Sequence, residues 1–232
     1  MNRSLSASNA DHSTRFVVLV ALFVTALVTS NIMAVKLFAF GSLVLPAAVI
    51  LFPVSYILGD VLTEVYGYRA ARRVIWLGFV CNLAAVLAIW LGGLLPAAGF
   101  WQGQDAWATI LGQTPRILVA SFAAYLVGEF ANAYILARLK VATHGRALWL
   151  RTIGSSVIGE GLDSAIFITI AFAGIIPSQG LVTAVVTQWL VKTAYEALAT
   201  PVTYAVVGWL KRAEGIDTFD RDTRFNPLAL GE

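Results

Sequence analysis

Sulfur and imidazole are scarce in this chain. Its 232 residues include one cysteine, Cys81, and two histidines, His12 and His144. A lone cysteine excludes an intramolecular disulfide and any cysteine-based metal cluster. Both histidines lie in polar stretches, so a histidine metal site or a Ser-His-Asp triad has little support. No Walker-type glycine-rich phosphate loop occurs, so the chain does not hydrolyse ATP by itself. Charge is scarce too, at 12% of residues, against about a quarter in soluble domains. What takes its place is apolar: 59% of the chain is hydrophobic, with a mean hydropathy of +0.78. This composition is that of a membrane protein. The net charge of +3 is then read as loop lysine and arginine rather than as a nucleic-acid footprint.

Residues 1–14 are polar and read as a disordered tail. Arg15 precedes about twenty apolar residues, longer than the roughly 7–15 of a signal-peptide core, so this segment reads as a retained span. Six stretches are long enough for a bilayer, near 16–36, 43–63, 71–95, 116–139, 149–175 and 180–210, since crossing takes ~20 apolar residues. Pro46, Pro53 and Gly59 predict a kinked or partly unwound second span, and Pro201 a kink in the last. The expected fold is all-α: six transmembrane helices around a polar cavity, filling residues 15–212, with 213–232 as a C-terminal tail.

With six alternating spans, thirteen of the sixteen lysines and arginines fall on one side. They are Arg3, Arg15, Arg69, Arg72, Arg73, Arg138, Lys140, Arg146, Arg151, Lys211, Arg212, Arg221 and Arg224. Only Lys36 and Arg116 fall opposite, and Lys192 lies within the last span. The excess predicts cytoplasmic termini. The 96–115 loop then faces outward, with Trp101 and Trp107 as interfacial anchors or as a lid.

Seven ionisable residues sit within or at the edge of these spans: Asp60, Glu64, Glu129, Glu160, Asp163, Lys192 and Glu196. Each charge at a helix centre costs roughly 2.5–3.5 kcal/mol on insertion scales. They must therefore face one another, water or a ligand. Spacing agrees: Asp60 and Glu64 are four apart, Glu160 and Asp163 three apart, and Gln188, Lys192 and Glu196 make one stripe. Glu129 shares a face with Asn132 and Tyr125. Asn31 and Asn82 add polarity to spans 1 and 3, as lining or as hydrogen bonds between helices. Two pairings would reduce this set to structural salt bridges: Lys192 with Glu196, and Glu64 with Arg69 or Arg72. The segments ILGDVLTE, LVGEFANA and VIGEGLDS share a glycine, 59, 128 or 159, directly before an acid, which lets a helix or ligand approach closely. Gly67 in YGY reads as a helix end.

An acid-rich cavity favours a cationic or donor-rich solute. A carboxylate accepts two N–H bonds from a guanine-like edge, and Tyr56, Phe167, Phe172, Trp189 or Tyr195 can stack on a ring. The chemistry alone stops at a small polar solute. Other readings stand beside it: a carrier of another vitamin or base, an intramembrane carboxylate enzyme, or an assembly protein. The aspartyl-protease GxGD element is not matched at Ile57-Leu58-Gly59-Asp60, and a scaffold has no need of seven intramembrane charges.

The runs SNIMAVK (30–36), FPVSYILGDVLTEVYGYRAARR (52–73), SFAAYLVGEFANAYILARLK (121–140), GSSVIGEGLDSAIF (154–167) and KTAYEALATPVTYAVVGWLKR (192–212) resemble the queuosine precursor transporter family. Its most specific parts here are FPxxYxxxDxxxExYG and KxxxExxxxP. The family is similar to substrate-binding components of energy-coupling-factor transporters. The resemblance implies a six-helix carrier in the bacterial inner membrane, with no enzyme activity and no cofactor, importing 7-cyano- or 7-aminomethyl-7-deazaguanine for tRNA modification. It also implies a substrate-binding core of Asp60, Glu64, Glu160, Asp163, Lys192 and Glu196, with Asn31, Glu129, Asn132 and Gln188 as further lining. Uptake by trapping, by proton coupling or through an energising module all remain open. Small residues Ala21, Ala26 and Ala34 offer a face for such a module, and small faces also permit a homodimer.

Overall fold

The computed structural model describes residues 13–40, 43–112, 115–175 and 177–229. The expected disordered tail lies, up to residue 12, outside these residues. Seven helices make up the fold: α1 (Thr14–Met33), α2 (Phe52–Tyr66), α3 (Tyr68–Gly93), α4 (Gln104–Leu111), α5 (Pro115–Ala142), α6 (Leu148–Phe172) and α7 (Ser178–Glu214). The Ser13 side chain accepts from the Phe16 N–H and so caps α1, satisfying one of the free donors of a first turn.

The second expected span is corrected at its start. Strands β1 (Leu37–Phe40) and β2 (Leu43–Pro46) form a short antiparallel hairpin, with Leu37 opposite Pro46. A 3-10 turn at Ala47–Ile50 then leads into α2. Pro46 is extended, with ψ 144°, and Pro53 sits in the first turn of α2, where its missing N–H costs nothing. A short apolar run such as LVLPAAV fits either strand or helix by periodicity, and the prolines decide. Gly67 ends α2 as expected, with φ +84°, a value that favours glycine. The 96–115 loop contains α4, whose Trp107 ring lies 3.3 and 3.2 Å from where a Cβ on Gly92 or Gly93 would stand.

Among the described residues, five stretches are long and apolar enough to cross a membrane: Thr14–Met33, Ala47–Tyr66, Tyr68–Gly93, a part of Gln104–Ala142, and Leu148–Phe172. The sixth expected span lies in α7, whose 37 residues are long enough. Gln188, Lys192, Glu196 and several threonines dilute its hydropathy. Pro201 lies inside α7, and the helix continues through it.

Helix α2 is the centre of the bundle, packed against α1, α3, α5 and α7, while α5 packs along α6 and α6 along α7. The α5–α6 crossing depends on two glycines that face each other. A Cβ on Gly159 would stand 2.8 Å from the Asn132 Cβ and 2.9 Å from the Gly128 carbonyl oxygen. Small residues of this kind let two backbones approach. The three glycines of the shared pattern therefore share a structural need, since a Cβ on Gly59 would meet Glu129 at 3.2 Å.

The apolar core gathers Phe23, Leu27, Val61, Leu62, Val65, Tyr68, Ile75 and Leu210, and reaches the end of the bundle where α2 gives way to α3. The C-terminal segment folds back over this end. The Thr218 N–H donates to the Val65 carbonyl, at 3.2 Å. The Tyr68 N–H donates to Asp220 at 3.0 Å, which places a carboxylate at the start of α3, where the helix dipole favours it. Arg72 reaches the Asn226 carbonyl at 2.8 Å, Trp76 donates to the Pro227 carbonyl at 2.8 Å, and the Phe225 ring packs on Tyr68 and Tyr134. Arg15 pairs with Glu214 at 3.2 Å, so the start of α1 and the end of α7 share this end. At the opposite end Arg116 donates to the Ile170 and Ala173 carbonyls, each at 2.5 Å, neutralising the C-terminus of α6.

The crossing predicts that Gly159→Ala costs about 1–3 kcal/mol by overpacking, read by unfolding in detergent. Gly208→Ala, whose Cβ would meet nothing within 4 Å, should be neutral or stabilising.

Candidate functional site

Two groups of charged residues occupy the bundle, and they differ in kind. The first surrounds Glu64 at the end covered by the C-terminal segment. Arg151 donates to both carboxylate oxygens of Glu64, each at 2.7 Å, a bidentate fork. Lys211 binds the same carboxylate at 2.6 Å, and Lys140 stands 3.5 Å away while donating to the Glu64 carbonyl at 2.5 Å. Asp217 completes the group, accepting from Lys140 at 2.5 Å and from Lys211 at 2.8 Å. Three cations thus meet two carboxylates, and Glu64 is fully buried. The expected partners Arg69 and Arg72 are not the ones found. The groups that hold Glu64 come from α6, α7 and α5, which a reading of one helix face does not reveal. This geometry makes Glu64 a structural hub, already saturated with donors.

The second group lies deeper, on α2, α5, α6 and α7. Asp60 accepts from the Asn132 amide at 2.7 Å and adjoins Glu196. Glu196 in turn adjoins Glu160 and Ser156. Glu160 accepts from Thr193 at 3.1 Å. Glu129 faces Asp163, Glu196 and Glu160. All of these carboxylates are buried to within a few per cent. Lys192 pairs with Asp163 and sits 4.1 Å from the centre of the Phe52 ring. The expected Lys192–Glu196 pair is therefore replaced by one to α6, because α7 packs against α6 along this face.

This second group is short of hydrogen-bond donors. Among the described residues, six buried side-chain atoms here find no partner of opposite hydrogen-bonding kind: Tyr56 Oη, Asp60 Oδ2, Asn132 Oδ1, Glu160 Oε1, Ser164 Oγ and Glu196 Oε2, although the carboxyl groups of Asp60, Glu196 and Glu160 adjoin one another. Buried polar groups are rarely left unsatisfied, and each costs about 1–3 kcal/mol. Such a concentration at one place fits a site made for a polar ligand. Sequence reading named Tyr56 only as a stacking ring and did not name Ser164 or Thr193. Their signal was spacing alone: Tyr56 is one turn before Asp60, and Ser164 one turn after Glu160.

A cavity of about 700 Å³ lies beside the first turns of α7, lined by Pro46, Ile168, Pro177, Thr183, Thr187 and Gln188 among others. Gln188 stands one turn, about 6 Å, from Lys192 along α7, and Ile168 a little more than one turn beyond Asp163 on α6. Gln188 thus lines this cavity rather than the acid group. Asn31 lies elsewhere, its amide donating to Asn82 at 3.0 Å and joining α1 to α3.

Residues 46–206 match the family described as "Putative vitamin uptake transporter". The chain belongs to this family. It is also 29% identical over 181 residues to the "Probable queuosine precursor transporter" of Bacillus subtilis, covering 78% of this chain and 79% of that one. It is 31% identical over 121 residues to the "Queuosine precursor transporter" of Escherichia coli, where it covers 52% of each. No solved structure matches. With several membrane-spanning helices, this vitamin uptake transporter family member is a multi-pass membrane transporter. The matched region contains every residue of both charged groups except Lys211 and Asp217.

The two groups should separate on substitution. Glu64→Gln leaves buried cations short of a partner and should cost about 3–5 kcal/mol in unfolding measurements. The Asp217 carboxyl is pushed up by partial burial, but hydrogen bonds from Lys140 and Lys211 hold it below its ordinary value. Its contribution to docking the C-terminal segment is then complete at pH above about 4 and lost as pH falls through its lowered value. Protease resistance of that segment should follow this course, and Asp217→Asn should remove the dependence.

Proposed function

We propose that this transporter imports 7-deazaguanine precursors of queuosine, the 7-cyano or 7-aminomethyl form, across the bacterial inner membrane for tRNA modification. The observation that carries the reading is the group of unpartnered buried atoms on Tyr56, Asp60, Asn132, Ser164, Glu160 and Glu196. Most are carboxylate or amide oxygens, which accept, and a guanine-like edge presents three N–H donors to them. The tyrosine and serine hydroxyls are free to meet its carbonyl. The printed names of the Bacillus and Escherichia relatives point the same way.

The solute enters from the 700 Å³ cavity, passes the Lys192–Asp163 pair and settles among the acids. Asp60, Glu160 and Glu196 are its acceptors, with Glu129 and Asn132 beside them. The Glu64 group, with the C-terminal segment over it, closes the opposite end. Six crossings with both termini in the cytoplasm are supported by the Arg15–Glu214 contact, which needs an even number of crossings, and by the basic residues gathered at that end.

Cells unable to make or import 7-deazaguanines test this. Expression of the chain with either precursor supplied at low concentration should restore queuosine in tRNA. Asp60→Asn and Glu160→Gln should reach the membrane and fail. A charge-assisted hydrogen bond is worth about 1.5–3 kcal/mol, so each should bind roughly 10- to 100-fold more weakly. A well-expressed protein that restores nothing would move the reading to another vitamin or base, which competition by unlabelled solutes identifies.

A further inference from the structure

Lys192 is the one lysine or arginine seen to make an ionic contact in the deep group, among the described residues. Glu129 and Glu160 also lie near it, yet its ammonium is held by Asp163 and the face of Phe52. A carboxylate plus an aromatic face is a general means of binding an ammonium ion. We propose that Asp163 and Phe52 form a subsite for primary ammonium groups, which Lys192 fills in the empty carrier and yields to the ammonium of an arriving solute.

Three features support exchange over a permanent pair. The pair lies near the open cavity, with Gln188 and Ile168 of its wall about a turn away on the same two helices. Lys192 has somewhere to go when displaced. Glu160 and Glu129 already feel its charge, Glu160 keeps a buried oxygen without a partner, and Glu196 lies one turn along α7. Finally, Phe52 is in the first turn of α2, directly after the hairpin and 3-10 turn, and its ring packs near Tyr56 of the acid group, with centroids 5.8 Å apart. Displacement of Lys192 is thus felt at both the cavity mouth and the acid group. Charge is conserved throughout, since one ammonium replaces another at Asp163 and the released lysine moves to a second carboxylate.

For the identity of the arriving solute this inference rests on the proposed function, but the subsite does not. The full-length Lys192→Ala protein in detergent empties the subsite. Ethylammonium at about ten times its dissociation constant should then raise the melting temperature by about 3–6 °C. Tetramethylammonium and sodium should not do so, nor should ethylammonium act on the wild type or on Lys192→Ala/Asp163→Asn. A folded Lys192→Ala protein with no ethylammonium-specific rise overturns the proposal. Asp163→Asn is nearly isosteric and keeps Lys192, so it gives a second reading. Its preference for the aminomethyl over the cyano base should fall about tenfold, and an unchanged preference overturns the proposal as well. Ethylammonium stabilisation in a protein whose wild type binds neither base supports the subsite and removes the substrate reading alone.

Discussion

A carboxylate cannot face lipid, and the arrangement of this bundle follows from that constraint. Each acid on α2, α5, α6 and α7 would cost several kcal/mol if turned outward, so these four helices have one permitted rotation each. Once Asp60, Glu129, Glu160 and Glu196 point inward, α5 and α6 must cross closely enough to bring them together. Gly128 and Gly159 allow this by bringing backbone against backbone. The lipid-facing surface is what remains, and it carries Leu22, Leu87, Val119, Leu190 and Leu198, all exposed in the isolated chain.

The same chemistry is used twice with opposite results. Around Glu64, cations outnumber carboxylates and the contacts are short and mutual. Such a group resists change, because removing one member strands the others in a low-dielectric interior. Around Asp60, Glu160 and Glu196 the carboxylates outnumber the cations, and several of their oxygens meet no donor group among the described residues, only one another's carboxyl groups. Such a group is stabilised by any donor-rich molecule that reaches it, as the proposed solute would. A carrier needs this difference: one end must hold while the middle binds. The C-terminal segment adds to the firm end through Asp217, Asp220 and Phe225.

Much of this was legible in the sequence because charge is so rare there. In a chain with few charges, each acid within an apolar run marks an inward face, and the i, i+4 spacing gives its direction. Gly67 was legible through its position between an apolar helix and a basic cluster. Partner choice was not legible. Lys192 reads as a mate for Glu196 on its own helix, and Glu64 as a mate for the nearby arginines. The real partners, Asp163 and Arg151, lie 29 and 87 residues away, on a neighbouring helix that only the packing reveals. The β1–β2 hairpin was hidden for another reason, since four apolar residues in a row carry no helix or strand period. Tyr56 and Ser164 were hidden because a hydroxyl is unremarkable until its surroundings leave it without a partner.

The most direct measurement is a structure of the protein with 7-aminomethyl-7-deazaguanine bound. The ring should lie within hydrogen-bond distance of at least two of Asp60, Glu160 and Glu196. Glu64 should remain on Arg151 and Lys211. A base bound elsewhere, with the acids still contacting one another as they do when empty, or a base held by Glu64, would contradict the account.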